Sequence, residues 1–390
     1  MRILSLQSGT SADGIDVAVV DAEPDGDALH LVPQLTMTVD WEAALRADIL
    51  AAAHGDALDA AAWCRLDTRL GHAFAEAAEL AVHLVGPVDL VVSHGQTLYH
   101  WTEDGRSRGT LQLGDPAWIA ERAAAPVLSH LRHADIAAGG AGAPLMAVFD
   151  RLWLAGRAAE LGRPLATANL GGIANVQLVD ADGAVRAFDT GPGNCLIDAV
   201  VHRETGAPFD ADGRLAAAGA VDAALLAALA RHPYFALPAP KTTGRETFDL
   251  ALVDRALAAH PRRPSTPDLV ATLAELTAAT VADALAEARP AELLVSGGGA
   301  RNPVLLDRLA ARAAEHGIRT RSSDDAGIDP DAKESIMFAM LGWLSWNGVP
   351  ITLGDTPARI AGRLAPGPGA FAVPAPHPGI RRIVVEAMPA

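Results

Sequence analysis

The pattern that most constrains this fold occurs twice: an apolar strand, a glycine turn, and a second apolar strand. In the first half, Ile3–Leu6 and Val17–Val20 flank the stretch Ser8-Gly9-Thr10-Ser11-Ala12-Asp13-Gly14-Ile15-Asp16. Both runs are short and bounded by turn residues, and the second is rich in Val, which predicts the strands of a hairpin. In the second half, Leu165–Leu170 and Val176–Val179 flank Gly171-Gly172-Ile173-Ala174-Asn175. An Ala181-Asp182-Gly183 turn then leads into a third strand, Ala184–Phe188. Such a unit in each half points to two similar α/β halves, although the internal identity is too weak to prove duplication.

The first turn is too long and polar for a two-residue hairpin loop. Its glycines, Gly9 and Gly14, let the backbone approach a ligand. Successive N–H groups in such a loop form an anion-binding concavity, to which Ser8, Thr10 and Ser11 add hydroxyls. Asp13 and Asp16 would repel a bare phosphate but suit Mg²⁺, directly or through water. A polar hairpin turn is the plain alternative.

The chain of 390 residues is long enough for two domains. Its net charge of −16 argues against a nucleic-acid partner, which would want a basic face. That charge leaves a phosphate ligand open, because glycine loops, helix N-termini and a metal supply local positive fields. Cys64 and Cys195 have no metal or redox spacing and, with no signal peptide evident, suggest a reducing cytoplasm. No apolar run has the length of a membrane helix.

Taken in order, 41–85 reads as helical, in two pieces, Trp41–Ala53 and Ala60–Leu84. Val88–Val92 is a strand ending in Ser93-His94-Gly95-Gln96-Thr97, where open α/β sheets place ligand sites. His94 reads equally as a buried, bonded histidine or a ligand contact, and the Gln96 amide suits sugar hydroxyls. Gln112-Leu113-Gly114-Asp115-Pro116 opens a helix over 117–124, with Asp115 as N-cap, so capping alone would account for that residue. Val127–Leu131 is a strand. The segment 132–144 after it is glycine-rich, a linker in the plain reading, with Arg132 and Asp135 as candidates for holding a polar ligand. Helices follow at 145–158, from Cys195 to about His202, at 214–230, 249–260 and 267–288. The loop Lys241–Glu246 could be structural or could bring Lys241 and Arg245 to phosphate. Between a strand at 293–295 and a helix at 304–316, Ser296-Gly297-Gly298-Gly299-Ala300-Arg301-Asn302 has more glycine than a tight turn needs, which suits adenosine or phosphate. A strand at 319–322 and a helix at 331–344 carrying Glu334 follow. The proline-rich tail from Ala365 reads as extended over the surface. Walker A, dinucleotide-binding G-x-G-x-x-G and zinc-ligand spacings are all missing.

Two halves with glycine loops facing one nucleotide is the plan of the actin-like ATPases (a ribonuclease H-like α/β fold), among them many sugar kinases. Within that group the chain resembles the anhydro-N-acetylmuramic acid kinases of bacterial cell-wall recycling, from Ile3 to about Arg363. The resemblance rests on Ser8–Asp16, Ser93–Thr97, Gln112–Asp115, Asp135–Leu145, Asn169–Asn175, Phe188–Asn194, Lys241–Glu246 and Ser296–Pro303. It implies two domains around a nucleotide cleft, 1–126 with 340–390 and 127–339, joined near the glycines at 139–142. It implies ATP with Mg²⁺, held by Gly9, Thr10, Ser11, Ala12, Asp13, Gly14, Ile15, Asp16, Asn169, Gly171, Gly172, Asn175, Gly297, Gly298, Gly299 and Asn302, the metal at Asp13 and Asp16. Sugar contacts would come from His94, Gln96, Thr97, Gln112, Gly114, Asp115, Arg132, Asp135 and Asn194. A homodimer, no nucleic acid and no membrane complete the expectation.

The implied reaction opens a 1,6-anhydro amino sugar with water and phosphorylates O6. Because O6 is tied in an ether and has no proton, a base must activate water toward C1 instead. The resemblance assigns that base to Asp189, at the end of its strand, and a second carboxylate to Glu334. Where the family carries an arginine-rich run, this chain reads Leu131-Arg132-His133-Ala134-Asp135, and Ala141 stands where glutamine is common. A changed substrate preference is therefore open. An actin-like ATPase or phosphatase, or a sugar-sensing protein, are the alternatives.

Overall fold

The computed structural model describes residues 1–388 apart from Gly105 and Asp355. Elements follow in chain order as β1 (Arg2–Ser8), β2 (Ile15–Asp25), β3 (Ala28–Val39), α1 (Ala43–Ala53), α2 (Ala60–Val85), β4 (Leu90–Glu103), β5 (Arg106–Leu113), α3 (Pro116–Ala123), β6 (Val127–Ser129), α4 (His133–Ala137) and α5 (Met146–Leu161). They continue as β7 (Leu165–Leu170), β8 (Ile173–Val179), β9 (Val185–Pro192), α6 (Cys195–Thr205), α7 (Arg214–Ala218), α8 (Ala223–Leu229), α9 (Leu250–Ala258), α10 (Thr266–Leu285), β10 (Glu292–Ser296), α11 (Pro303–Glu315), β11 (Arg319–Ser322), α12 (Lys333–Trp346), β12 (Arg363–Ala365) and β13 (Arg382–Val385). The chain divides into two compact units, Met1–Trp153 with Ala332–Ala390, and Leu154–Asp331.

In the first unit the strands lie in the order β12-β6-β4-β1-β2-β3-β13, with β5 added to β4. β1 runs parallel to β4 and antiparallel to β2. Leu4 and Leu6 face a core shared with Leu66, Leu70 and Phe74 of α2. The alternate residues Ser5 and Gln7 meet α12, where Ser5 Oγ donates to the Ser335 carbonyl at 2.8 Å. Both faces of β1 are buried, and its polar residues on the second face are tolerated because α12 supplies hydrogen-bond partners, Gln7 Nε2 lying 3.5 Å from Ser335 Oγ. A Cβ on Gly342 would stand 2.1 Å from Val92 Cγ2, so the missing side chain is what lets α12 lie on β4.

The second unit repeats the plan, in the order β11-β10-β7-β8-β9. β11, β10 and β7 are parallel, whereas β8 and β9 return antiparallel. This matches β6-β4-β1-β2-β3 strand for strand, so the twofold pattern in the sequence is a repeat of topology. α10 is buried along most of its length, and Thr277 Oγ1 donates to the carbonyls of Pro192 and Gly193 at 3.1 and 2.8 Å.

Several expectations are corrected. The unit boundary falls inside α5 and just before α12, rather than at 126/127 and 339/340, because β6 pairs with β4 and α12 packs on β1. The glycines at 139–142 lie within the first unit and join no units. β4 does not end at Val92, since β5 supplies it with hydrogen bonds out to Glu103. The 132–144 segment contains α4. Residues 214–230 form two helices, broken where a Cβ on Gly219 would meet the Pro267 carbonyl at 2.0 Å and where Asp222 caps α8. The tail returns to the sheet as β13, parallel to β3. β3 itself had no reading in the sequence, as His30, Pro33, Gln34, Thr36 and Thr38 dilute its apolar pattern.

Candidate active site

In the first unit the loop between β1 and β2 is held from below. Trp41 Nε1 donates to Ser8 Oγ at 3.3 Å, Arg46 Nε to the Ala12 carbonyl at 2.8 Å, and Gln96 Nε2 to the Gly9 carbonyl at 2.8 Å. Ala12, Gly14 and Ile15 are buried, and Ala12 takes the left-handed conformation at φ 50°. A Cβ on Gly14 would lie 2.6 Å from Thr38 Cγ2. These three residues shape the loop. Gly9 and Thr10 are exposed, Ser11 is half-buried, and among the described residues their N–H groups donate in no loop or turn hydrogen bond. Asp13 faces Arg46 at 3.5 Å, and Asp16 accepts from Thr38 Oγ1 at 2.8 Å.

A β-bulge sets the next group. β1 pairs Leu6 with Ser93 but Gln7 with Gly95, so His94 is the extra residue. Gly95 makes the bulge possible with φ 74°, and a Cβ there would strike the Leu113 carbonyl at 2.5 Å. The His94 ring stacks on Phe338 at 4.6 Å, and burial holds its pKa well below the ordinary histidine value, helped by Arg132, His130 and His133. Arg132 Nε donates to His94 Nε2 at 3.4 Å, which puts the neutral ring's proton on Nδ1. His94 Nδ1, Ser93 Oγ, Gln96 Oε1 and Gln112 Oε1 are buried and lack partners among the described residues. Thr97 Oγ1 stands 3.5 Å from His94 Nε2.

Other expected sugar contacts are occupied by the fold. Asp135 accepts from Gly142 N at 2.7 Å and from Thr356 Oγ1, and so organises its own loop. Gly114 donates its N–H to Asp67 and its Cα abuts Phe74. Asp115 caps α3 through Ala117 N at 2.8 Å, as its sequence position also suggested. Arg132 Nη1 donates to the Gly142 carbonyl at 2.9 Å. Glu334, in the first turn of α12, has solvent access on one side and is crowded by protein on the others. Its carboxyl is raised above the usual range, first by desolvation and also by Asp16, against the pull of Arg132 and a Gln7 hydrogen bond.

The second unit assembles its polar residues by register. Ser296 stands opposite Asn169, Asn169 opposite Asn175, and Asn175 opposite Asp189, a row across four strands. The turns containing Gly171–Gly172, Gly191–Gly193 and Gly297–Gly299 therefore share one end of the sheet. A Cβ on Gly193 would lie 2.2 Å from the Gly171 carbonyl, and one on Gly297 2.2 Å from Asn169 Oδ1. The Gly171 and Gly172 carbonyls accept from Asn194 N at 2.8 Å and Gly193 N at 2.9 Å, which leaves the Gly171 and Gly172 N–H groups outside every loop or turn hydrogen bond of the described residues. Asn194 Nδ2 donates to the Leu170 carbonyl at 3.0 Å, bracing this turn in the second unit. Asn302 Oδ1 caps α11 through Leu305 N.

Asp189 is half-buried on β9, and the strand continues past it to Pro192. Its Oδ2 accepts from Thr242 Oγ1 and from Thr243 N, both at 2.9 Å, while Oδ1 receives no hydrogen bond from the described residues. Burial raises its pKa above the ordinary aspartate value, against these two bonds. Thr242 and Thr243 were not singled out from sequence. The hydroxyl pair within a Gly-containing polar loop was the available signal.

Two units of one strand order, each with a glycine turn after its first strand, define an actin-like ATPase fold of the kind sugar kinases use. The profile of the family described as Anhydro-N-acetylmuramic acid kinase matches residues 1–364. The chain is 48% identical to an anhydro-N-acetylmuramic acid kinase of Streptomyces coelicolor, over 98% of this chain and 99% of that one. It is 43% identical to one of Rhodococcus erythropolis, over 94% of each chain, and 45% identical to one of Xanthomonas campestris, over 93% of this chain and 97% of that one. The chain belongs to this family. Among the described residues no helix is long and apolar enough to cross a membrane.

Proposed function

We propose that this kinase opens 1,6-anhydro-N-acetylmuramic acid with water and transfers the ATP γ-phosphoryl group to the freed O6, giving N-acetylmuramic acid 6-phosphate and ADP in cytoplasmic murein recycling. The observation that carries this reading is Asp189. One carboxylate oxygen is fixed by two protein donors, the other is left for a ligand, and its proton affinity is raised. That is what a positioned general base requires. Asp189 takes a proton from water as the water oxygen bonds to C1. The C1–O6 bond breaks as that bond to water forms, the freed O6 bonds to the γ-phosphorus, and the bond from phosphorus to the β,γ-bridging oxygen breaks to release ADP. Glu334 is the second carboxylate, stabilising positive charge at the oxocarbenium-like C1.

The orphaned polar atoms of Ser93, His94, Gln96 and Gln112 support a sugar ligand. A buried polar group without a partner costs about 1–3 kcal/mol, which the hydroxyl and amide groups of an amino sugar would relieve. The unclaimed N–H groups at Gly9–Ser11 and Gly171–Gly172 support phosphate binding. Among the described residues no group of three His, Cys, Asp or Glu side chains is disposed to hold a metal. Mg²⁺ bound with ATP needs fewer protein ligands, because it keeps waters and phosphate oxygens. Asp16 would bind it through water, whereas Asp13 is turned to Arg46. The ion would neutralise phosphate charge. The test is ADP release with and without the anhydro sugar. Sugar-dependent release is expected. Sugar-independent release, or sugar binding without turnover, would replace this reading by an ATPase or a sensor.

A further inference from the structure

The loop Lys241–Glu246 holds two cations that the sequence could not tell apart, and the structure separates them. Lys241 is turned inward. Its Nζ donates to the carbonyls of Tyr234 and Phe235 at 3.1 and 3.2 Å and lies 4.6 Å from the centroid of the Tyr234 ring. Its carbonyl accepts from Asp189 N at 2.9 Å, so it ties the loop to β9. Arg245 is exposed and lies against the Gly171–Gly172 turn. A Cβ on Gly172 would stand 2.8 Å from its Nη2 and 2.9 Å from its Nε. Any side chain at 172 would displace the guanidinium. Among the described residues Arg245 makes no ion pair and no hydrogen bond. Its charge is nonetheless felt nearby, pulling down the carboxyl of Asp198, which burial has pushed up to about 6.

We propose that Arg245 is a catalytic residue that contacts the transferring phosphoryl group, its planar fork lying beside the unclaimed N–H groups of the Gly171–Gly172 turn. This rests on the kinase reading above. The loop that carries it also carries Thr242 and Thr243, whose bonds aim Asp189. One short segment thus fixes the base and supplies the positive charge. During transfer the O6–phosphorus bond forms, the phosphorus–bridging oxygen bond to ADP breaks, and Arg245 bears charge on the equatorial oxygens without forming a covalent bond. A guanidinium suits this role because it donates along two parallel directions and stays protonated. Such contacts gain strength as charge gathers on the phosphoryl oxygens.

The test uses Arg245→Met and Arg245→Lys in the full chain. Calorimetry compares Mg-ADP with Mg-bound β,γ-imido ATP, and turnover is read with the anhydro sugar. Arg245→Met should keep its melting temperature and its ADP affinity, lose about tenfold or more in affinity for the triphosphate analogue, and lose about 10²–10³-fold in kcat. Arg245→Lys should recover part of both. Unchanged preference for triphosphate over diphosphate together with near-normal kcat would overturn the assignment. So would equal loss of both nucleotides, which marks a structural arginine. If Arg245→Met does not fold, Arg245→Lys decides by the same two ratios. The nucleotide comparison contains no sugar, so it stands apart from the fate of the sugar reading, which the wild-type sugar dependence decides.

Discussion

Lys333 Nζ stands 2.8 Å from Asp150 Oδ1 with both side chains buried, and the residue after Lys333 is Glu334. The pair joins the first turn of α12 to α5, and the ammonium also lies 5.5 Å from the Trp153 ring centroid. Deleting one member of a buried ion pair costs about 3–5 kcal/mol. Lys333→Met is expected to lose stability of that order in urea denaturation, and to lose turnover as the turn carrying Glu334 loosens. Adding Asp150→Leu removes the buried carboxylate as well as its ammonium and should return part of the stability. A Lys333→Met protein with wild-type stability would contradict this account.

The two glycines of the first loop should separate into binding and folding roles. Among the described residues beyond its chain neighbours, the nearest atom to a Cβ placed on Gly9 is Ser11 Oγ at 4.0 Å, whereas one on Gly14 would meet Thr38 at 2.6 Å and the Val39 carbonyl at 3.1 Å. Gly9→Val should leave the melting temperature near wild type and raise the KM for ATP strongly. Gly14→Val should cost about 1–3 kcal/mol through overpacking. Unchanged ATP kinetics in folded Gly9→Val would remove this loop from the nucleotide site.

The frame of the fold was legible because the first two glycine turns sit between strands, and a helix start such as Asp115-Pro116 carries its own capping chemistry. What escaped depends on partners distant in sequence. The strand character of His94–Glu103 comes from β5, and that of Arg382–Val385 from β3. The site divides the same way. The glycine turns were visible as strand-flanked motifs, whereas Asp189 entered as a candidate only through the family resemblance. Asp135 could not be assigned to its loop until the Gly142 N–H and the Thr356 hydroxyl were seen on its carboxylate. Asn302 and Asp115 show the converse: one cap chemistry explains a residue that family likeness alone would place on a ligand.

Acid should weaken the first unit through His94. Burial lowers its pKa well below 6.5, so folding favours the neutral ring. Its contribution is present above the ordinary histidine value and is lost as pH falls toward the depressed one. The wild-type melting temperature should therefore drop more steeply below pH 6.5 than that of His94→Gln, which cannot gain a proton there. Parallel curves for the two proteins between pH 8 and 5 would show that His94 does not titrate on unfolding.

Asp189→Asn joins the catalytic and stability consequences of one carboxyl. The variant keeps the side-chain shape, and its amide oxygen can still accept from Thr242 and Thr243. ATP and sugar should bind within a few-fold of wild type, and turnover should fall by roughly 10²–10⁴-fold, the usual worth of a general base. Ring opening and ADP formation should fall together, since the first displacement creates the nucleophile for the second. The stability sign follows from the raised pKa. A carboxyl whose folded pKa lies above its unfolded value contributes stability below the ordinary aspartate range and loses it as pH rises through the raised value. At pH 7 the wild type therefore carries a desolvated charge that the variant lacks. The Asp189→Asn melting temperature should equal or exceed that of wild type at pH 7, with the difference shrinking toward pH 4. For the same reason wild-type kcat should fall on the acid side with an apparent pKa above that of an ordinary aspartate. Calorimetric binding, single-turnover rates and melting curves on one Asp189→Asn sample test all three. Near-normal turnover, or ATP hydrolysis at the wild-type rate without ring opening, would remove Asp189 from the role of base. A marked loss of stability with weakened binding of both ligands would make it a structural residue.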